Sequence, residues 1–175
     1  ADTLWHRSEG LFDLTSGILR KAWNFKSAQL PEQAELNKLL PLIGWDKVVH
    51  DGESVYLPEF GMELDFGGCV KEYACDAAAT LLKMRGIHCA IVDLSGDMAT
   101  TGSQGDGTPW RIAIAHPEKP GQAIAQVRLA TGGLASSGDY ERAIRIADKR
   151  YGHILNPKTG WPIDGLVAVS LLADQ

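Results

Sequence analysis

The residue types that could do chemistry concentrate first in LDFGGCVKEYACD, residues 64–76. An extended run ends there in Asp65, a pair of glycines follows, and the spacing then predicts a helix with Lys71 in its first turn. A lysine at that end opposes the helix dipole, at a cost on the order of a few tenths of a kcal/mol, unless an anion shares the position. Glycines ahead of a helix N-terminus let backbone N–H groups come close to a phosphate, and Lys71 would then neutralise it. The same spacing also fits a tight strand-to-helix turn with Lys71 simply solvated. Asp65 suits either reading, as a cap for the turn or as an acceptor for a ligand hydrogen bond.

Two other stretches carry candidate chemistry. In SGDMATTGSQGDGTPW, residues 95–110, Gly102, Gly105 and Gly107 resemble a phosphate loop, but Pro109 and a strand follow where a dinucleotide fold requires a helix. A hairpin loop is the expectation, with a sharp turn at Ser95–Asp97 that exposes Asp97 at the sheet margin. In ASSGDYERAIRIADKRYGHILNPKTGWPI, residues 135–163, turn-forming Ser136, Ser137 and Gly138 sit at one end of an expected hairpin, and His153, Asn156 and Pro157 at the other. Ser137, Asp139 and His153 invite a hydrolase triad, which the lack of a G-x-S-x-G elbow argues against. A lone histidine is most often structural. His153 nonetheless opens a strand that runs into a Pro-x-x-Gly turn, and such a strand end can offer main-chain N–H and C=O groups to a planar ligand.

The elements that must position these residues follow from pattern. Three helical segments are predicted in the first 45 residues: one ending at Ser8–Gly10, one from about Thr15 to Trp23, and one opening at Pro31 and running to about Leu42. Short extended pieces around Asp51-Gly52 read as a hairpin. Val70, Ala74, Ala77, Ala78, Leu81 and Leu82 then fall at helical spacing, with Gly86 as the stop. Seven short strands are expected after that helix. The fold class is therefore α+β, mainly antiparallel sheets with one dominant central helix and a helical N-terminal segment. At 175 residues with 45% hydrophobic residues, a single domain with one substantial core is the default. A net charge of −5 argues against nucleic acid and for a small ligand or protein partner. Cys69, Cys75 and Cys89 match no zinc spacing and read as small apolar fillers. No apolar run nears the roughly 20 residues that span a bilayer. Both termini are abrupt, and the expectation is a chain cut at both ends.

In their order along the chain, EGLFDLTSG, LDFGGCVKEYACDAA, VDLSGDMATTG, PWRIAIAHP, LASSGDY and HILNPKTGWPI resemble the motifs of the ApbE family, the FAD:protein FMN transferases once described as thiamine-biosynthesis lipoproteins. The resemblance covers nearly the whole chain. It implies a T-fold-related α+β architecture that binds FAD and, with Mg²⁺, transfers FMN to a threonine of a partner flavoprotein, such as a membrane redox-complex subunit. Some members hydrolyse FAD to FMN and AMP instead, and a non-catalytic flavin-binding or scaffold protein is a further alternative. By position, Leu11, Phe12, Asp13, Asp65, Lys71 and Leu155 match FAD contacts, the Gly68 main-chain carbonyl matches a Mg²⁺ ligand, and His153 matches the motif histidine, with proton transfer as its expected role. Tyr140 and the neighbouring serines match the family's SGDY strand start. The chain departs from the family at Glu72, where glycine is usual, and at Asn156, where aspartate is common. The family's metal-binding Asp-x-x-x-Thr element falls beyond Gln175. The resemblance further implies the periplasmic face of a bacterial inner membrane, reached through a lipid anchor not encoded here, with the cytoplasm as the alternative.

Overall fold

In the computed structural model, which describes residues 1–27, 29–139 and 142–174, the chain divides into two units that are each discontinuous in sequence. Unit 1 comprises Ala1–Gly68 and Glu141–Gly165, and unit 2 comprises Cys69–Tyr140 and Leu166–Gln175. Tyr140, the aromatic residue of the SGDY match, lies outside the described residues.

Unit 1 opens with helix α1, Asp2–Arg7, followed by a 3-10 helix at Leu14–Lys21. Asp13 caps the 3-10 segment by accepting from the Thr15 backbone N–H, and the segment buries Leu14, Thr15, Ile18 and Leu19. The third predicted helix begins later than Pro31. Glu32 stays extended and its N–H donates to the Glu35 carboxylate at 3.3 Å, so that α2 spans Gln33–Leu39 before a short 3-10 turn at Leu40–Leu42. Strands β1, Val49–His50, and β2, Val55–Tyr56, form the hairpin expected around Asp51, whose carboxylate accepts from the N–H groups of Glu53 and Ser54. A second hairpin joins β8, Ala143–Ile146, to β9, Lys149–Gly152. The core of this unit is Leu19, Trp23, Leu36 and Ile144, with Phe25, Tyr151, Leu155 and Trp161 packed around it.

Unit 2 is built on α3, Val70–Met84. Its end follows the expectation for Gly86: the Gly86 N–H donates to the Lys83 carbonyl and the Ile87 N–H to the Leu82 carbonyl, the paired bonds of a Schellman cap. Cys75 and Ala79 bury that helix against Ala99 and Val92 of a four-stranded antiparallel sheet. The sheet runs β10-β7-β4-β3, from Ala168–Ala173 through Gly133–Gly138 and Met98–Thr100 to Ile91–Asp93. A separate ribbon pairs β5, Trp110–Ala115, with β6, Ala123–Leu129, and Ile112 and Leu129 pack with Leu134 of β7.

The α+β class of the sequence reading is the class observed, and four details differ. Eight strands rather than seven follow α3 among the described residues. The additional one is β7, GLASSG, whose glycines and serines disguise it as turn punctuation. Its Ser136 hydroxyl instead shares a 2.8 Å hydrogen bond with Ser170 across the sheet. Consequently residues 135–163 do not form one hairpin: β7 belongs to the unit 2 sheet, and only β8 and β9 pair with each other. The glycine-rich loop at 102–107 is likewise no hairpin loop, because it links β4 of the sheet to β5 of the separate ribbon. Finally, Cys75 is a buried filler as expected, whereas Cys89 is exposed.

Candidate functional site

Asp65 is held from three sides within unit 1. Its backbone N–H donates to the Leu14 carbonyl at 2.8 Å, and its Oδ1 accepts from the Gly67 N–H at 2.7 Å. A Cβ on Gly17 would overlap the Asp65 side chain, so only glycine at 17 leaves room for it. The carboxylate is thereby oriented while the residue stays exposed to solvent, an arrangement suited to accepting a hydrogen bond from an incoming hydroxyl or amine.

The preceding segment is fixed by short-range bonds. Ser8 Oγ accepts from the Phe12 N–H at 2.8 Å, leaving Leu11 exposed and Phe12 half-buried with its ring against Gly68. Asp13 behaves differently from its neighbours. Its carboxylate is buried and accepts from Trp5 Nε1, the N–H and hydroxyl of Thr15, and the N–H of Trp45, at 2.6–3.0 Å. Thr15 extends the network by accepting from the Gly44 N–H at 2.7 Å. Four donors occupy both oxygens of Asp13, so its work within the structure is to lock the entry of the 3-10 helix.

His153 and Leu155 follow β9. The His153 ring is half-buried and meets the Phe25 ring edge-on at 6.5 Å, and its Nδ1 is buried with no hydrogen-bond partner among the described residues. Leu155 bridges to Pro162 and packs on the unit 1 core. The turn between them is stapled from below: Trp23 Nε1 donates to the Gly160 carbonyl at 2.7 Å. Gly160 sits at φ +73°, and a Cβ there would press on Leu36 and Leu19. Asn156 serves the turn itself, its Oδ1 accepting from the Lys158 N–H at 2.8 Å.

Lys71 lies in the first turn of α3 in unit 2, as the helical spacing predicts. It pairs with the carboxylate of Asp97, so the cation that called for an anion finds one within its own unit. This corrects the expectation for Asp97. The turn at Ser95 and Gly96 has positive φ at both residues, as a two-residue hairpin requires, yet it delivers Asp97 to the interior, where the residue is only 2% exposed. Cys75 Sγ also donates to the Asp97 carbonyl, and burial pushes the Cys75 thiol up. Glu72, the departure beside Lys71, holds one buried carboxylate oxygen with no hydrogen-bond partner among the described residues.

Gly68 is exposed at the end of the first segment of unit 1. Among the described residues, no group of three or more His, Cys, Asp or Glu side chains could hold a metal ion. A Mg²⁺ ion takes oxygen ligands in near-ideal octahedral geometry, commonly one or two carboxylates with substrate phosphates.

Sequence reasoning missed Gly17, and it named Asp97 but not its burial or its pairing with Lys71. No local signal marks Gly17, because its reason for being glycine lies 48 residues away at Asp65. For Asp97 the signal was available in Lys71, a cation at the wrong end of a helix and in need of an acid.

The order of elements and the motifs along them place the chain in the α+β fold class of the ApbE proteins. The chain belongs to the ApbE family, whose model matches residues 1–175. It is 30% identical over 179 residues to the FAD:protein FMN transferase of Escherichia coli K12, a match covering 95% of this chain and 50% of that protein. It is 34% identical over 175 residues to the FAD:protein FMN transferase of Rhodobacter capsulatus, covering 97% and 33% respectively. Among solved structures it superposes on the ApbE protein of Thermotoga maritima with a TM-score of 0.87 at 30% identity, over 98% of this chain and 57% of that one. The flavin transferase ApbE of Vibrio cholerae gives a TM-score of 0.84 at 30% identity, over 99% and 57%. The chain thus spans a third to a half of the length of these two curated relatives.

Proposed function

We propose that this chain takes part in FMN transfer, with FAD as donor and a threonine hydroxyl of a partner flavoprotein as acceptor. The threonine oxygen bonds to the FMN phosphorus, the pyrophosphate P–O bond on the AMP side breaks, and AMP leaves with the bonding electron pair. The hydroxyl proton passes to His153, whose Nδ1 is unfilled by any described residue. In unit 1, Asp65 offers an oriented and exposed carboxylate to FAD, Leu155 offers main-chain groups beside the turn, and Leu11 and Phe12 supply apolar contact. Asp13 acts by fixing that segment. In unit 2, Lys71 meets the negative diphosphate. Mg²⁺ is the metal that the resemblance implies, with the Gly68 main-chain carbonyl as the donor it assigns, and no step here passes through it.

The single observation that carries the reading is the match of nearly the whole chain to proteins named as flavin transferases. Incubation with FAD, Mg²⁺ and a threonine-bearing acceptor flavoprotein tests it. The expected product is acceptor heavier by one FMN phosphoester, with AMP released in equal amount. Free FMN and AMP with unlabelled acceptor would replace this reading by FAD hydrolysis, and unchanged FAD bound to the chain would replace it by a flavin-binding role.

A further inference from the structure

The surroundings of Lys71 assign a role to a residue that the functional reading leaves unused. Asp97 is a charged group that the fold buries, and a buried carboxylate is costly unless it is paired. The β3–β4 turn sets its position: the Leu94 N–H donates to the Asp97 carbonyl at 2.9 Å, and Cys75 Sγ donates to the same carbonyl from α3. Helix and hairpin are thus tied together at the main chain of Asp97. Its side chain is 3% exposed and its Oδ2 binds Lys71 Nζ, whereas the Lys71 side chain is 43% exposed. Asp97 Oδ1 has no hydrogen-bond partner among the described residues. The carboxylate is therefore anchored and buried, while the cation it holds still faces solvent.

A free lysine is a point charge on a flexible stem, and fixing that stem when a ligand arrives costs rotamer freedom. A buried carboxylate that holds the ammonium beforehand removes much of that cost. We propose that Asp97 is a positioning residue for Lys71, presetting its ammonium at the start of α3 for the diphosphate of FAD. The inference rests on the reading of Lys71 as an FAD contact. Asp97 does not touch the ligand; it acts through the lysine.

A double-mutant cycle read by FAD titration tests the proposal on the folded chain. Lys71→Met is expected to weaken FAD binding about tenfold, and Asp97→Asn to weaken it by a similar factor, the effect of a charged hydrogen bond lost from each. Combining the two is expected to cost no more than Lys71→Met alone, whereas a merely structural role for Asp97 would add its own loss. Asp97→Asn at wild-type affinity or tighter, with Lys71→Met weakened, overturns the proposal and shows that the carboxylate competes with the ligand. Lys71→Met at wild-type affinity overturns the underlying FAD contact itself. Should Asp97→Asn fail to fold, the unsubstituted chain still decides: the ¹⁵N ammonium resonance of Lys71, assigned by its loss in Lys71→Met, is expected to be protected from solvent exchange and to shift on FAD addition. A rapidly exchanging ammonium overturns the proposal.

Discussion

Single residues in this chain divide by whether their polar atoms are already spent. Asp13 has given both carboxylate oxygens to four donors, and removing it would leave buried N–H groups of Thr15 and Trp45 unpaired. Loss of a helix cap together with orphaned buried donors sets the expected destabilisation of Asp13→Ala at about 3 kcal/mol, measured by urea unfolding. A loss below about 1 kcal/mol would show that the network contributes little. Cys75 and Cys89 differ in the same sense. Burial raises the Cys75 thiol, so the folded chain keeps its proton where the unfolded chain would release it. The stability from this group is complete below the ordinary thiol value of about 8.5 and is lost as pH rises through the folded value. At pH 8 an alkylating reagent is expected to modify exposed Cys89 and spare Cys75 in the native chain. Equal labelling of both by mass spectrometry would contradict this.

At the scale of elements, the turn after His153 depends on one indole. Trp23 Nε1 donates to the Gly160 carbonyl while its ring stacks on Phe25 at 5.4 Å and meets Trp161 edge-on. Trp23→Phe keeps an aromatic ring but leaves a buried carbonyl without its donor, with an expected loss of about 2 kcal/mol by thermal or urea unfolding. Unchanged stability would mean that Gly160 finds another donor. What was legible in the sequence follows a common physical line. α3 was readable because its apolar spacing and its glycine stop are local, and β1–β2 because an Asp-Gly turn announces itself. β7 was not readable: GLASSG has little strand propensity, and it becomes a strand only because β10 and β4 flank it. Around the candidate site the same division holds. Lys71 stood out by its position on a helix, whereas Asp97 and Gly17 are defined by distant partners, and no local pattern carries that information.

Across the whole molecule, both units are closed by chain that arrives late. Unit 1 takes its β8–β9 hairpin and the Asn156–Gly160 turn from residues 141–165, and unit 2 takes β10 from residues 166–175. The Leu19, Trp23, Leu36 and Ile144 core of unit 1 is therefore incomplete until the second segment joins it. Such long-range closure is slow, because loop entropy must be overcome before distant contacts reward it. Until residues 141–165 fold back across the intervening stretch 69–140, the Leu19, Trp23 and Leu36 side chains of unit 1 lack the Ile144 face that completes their core.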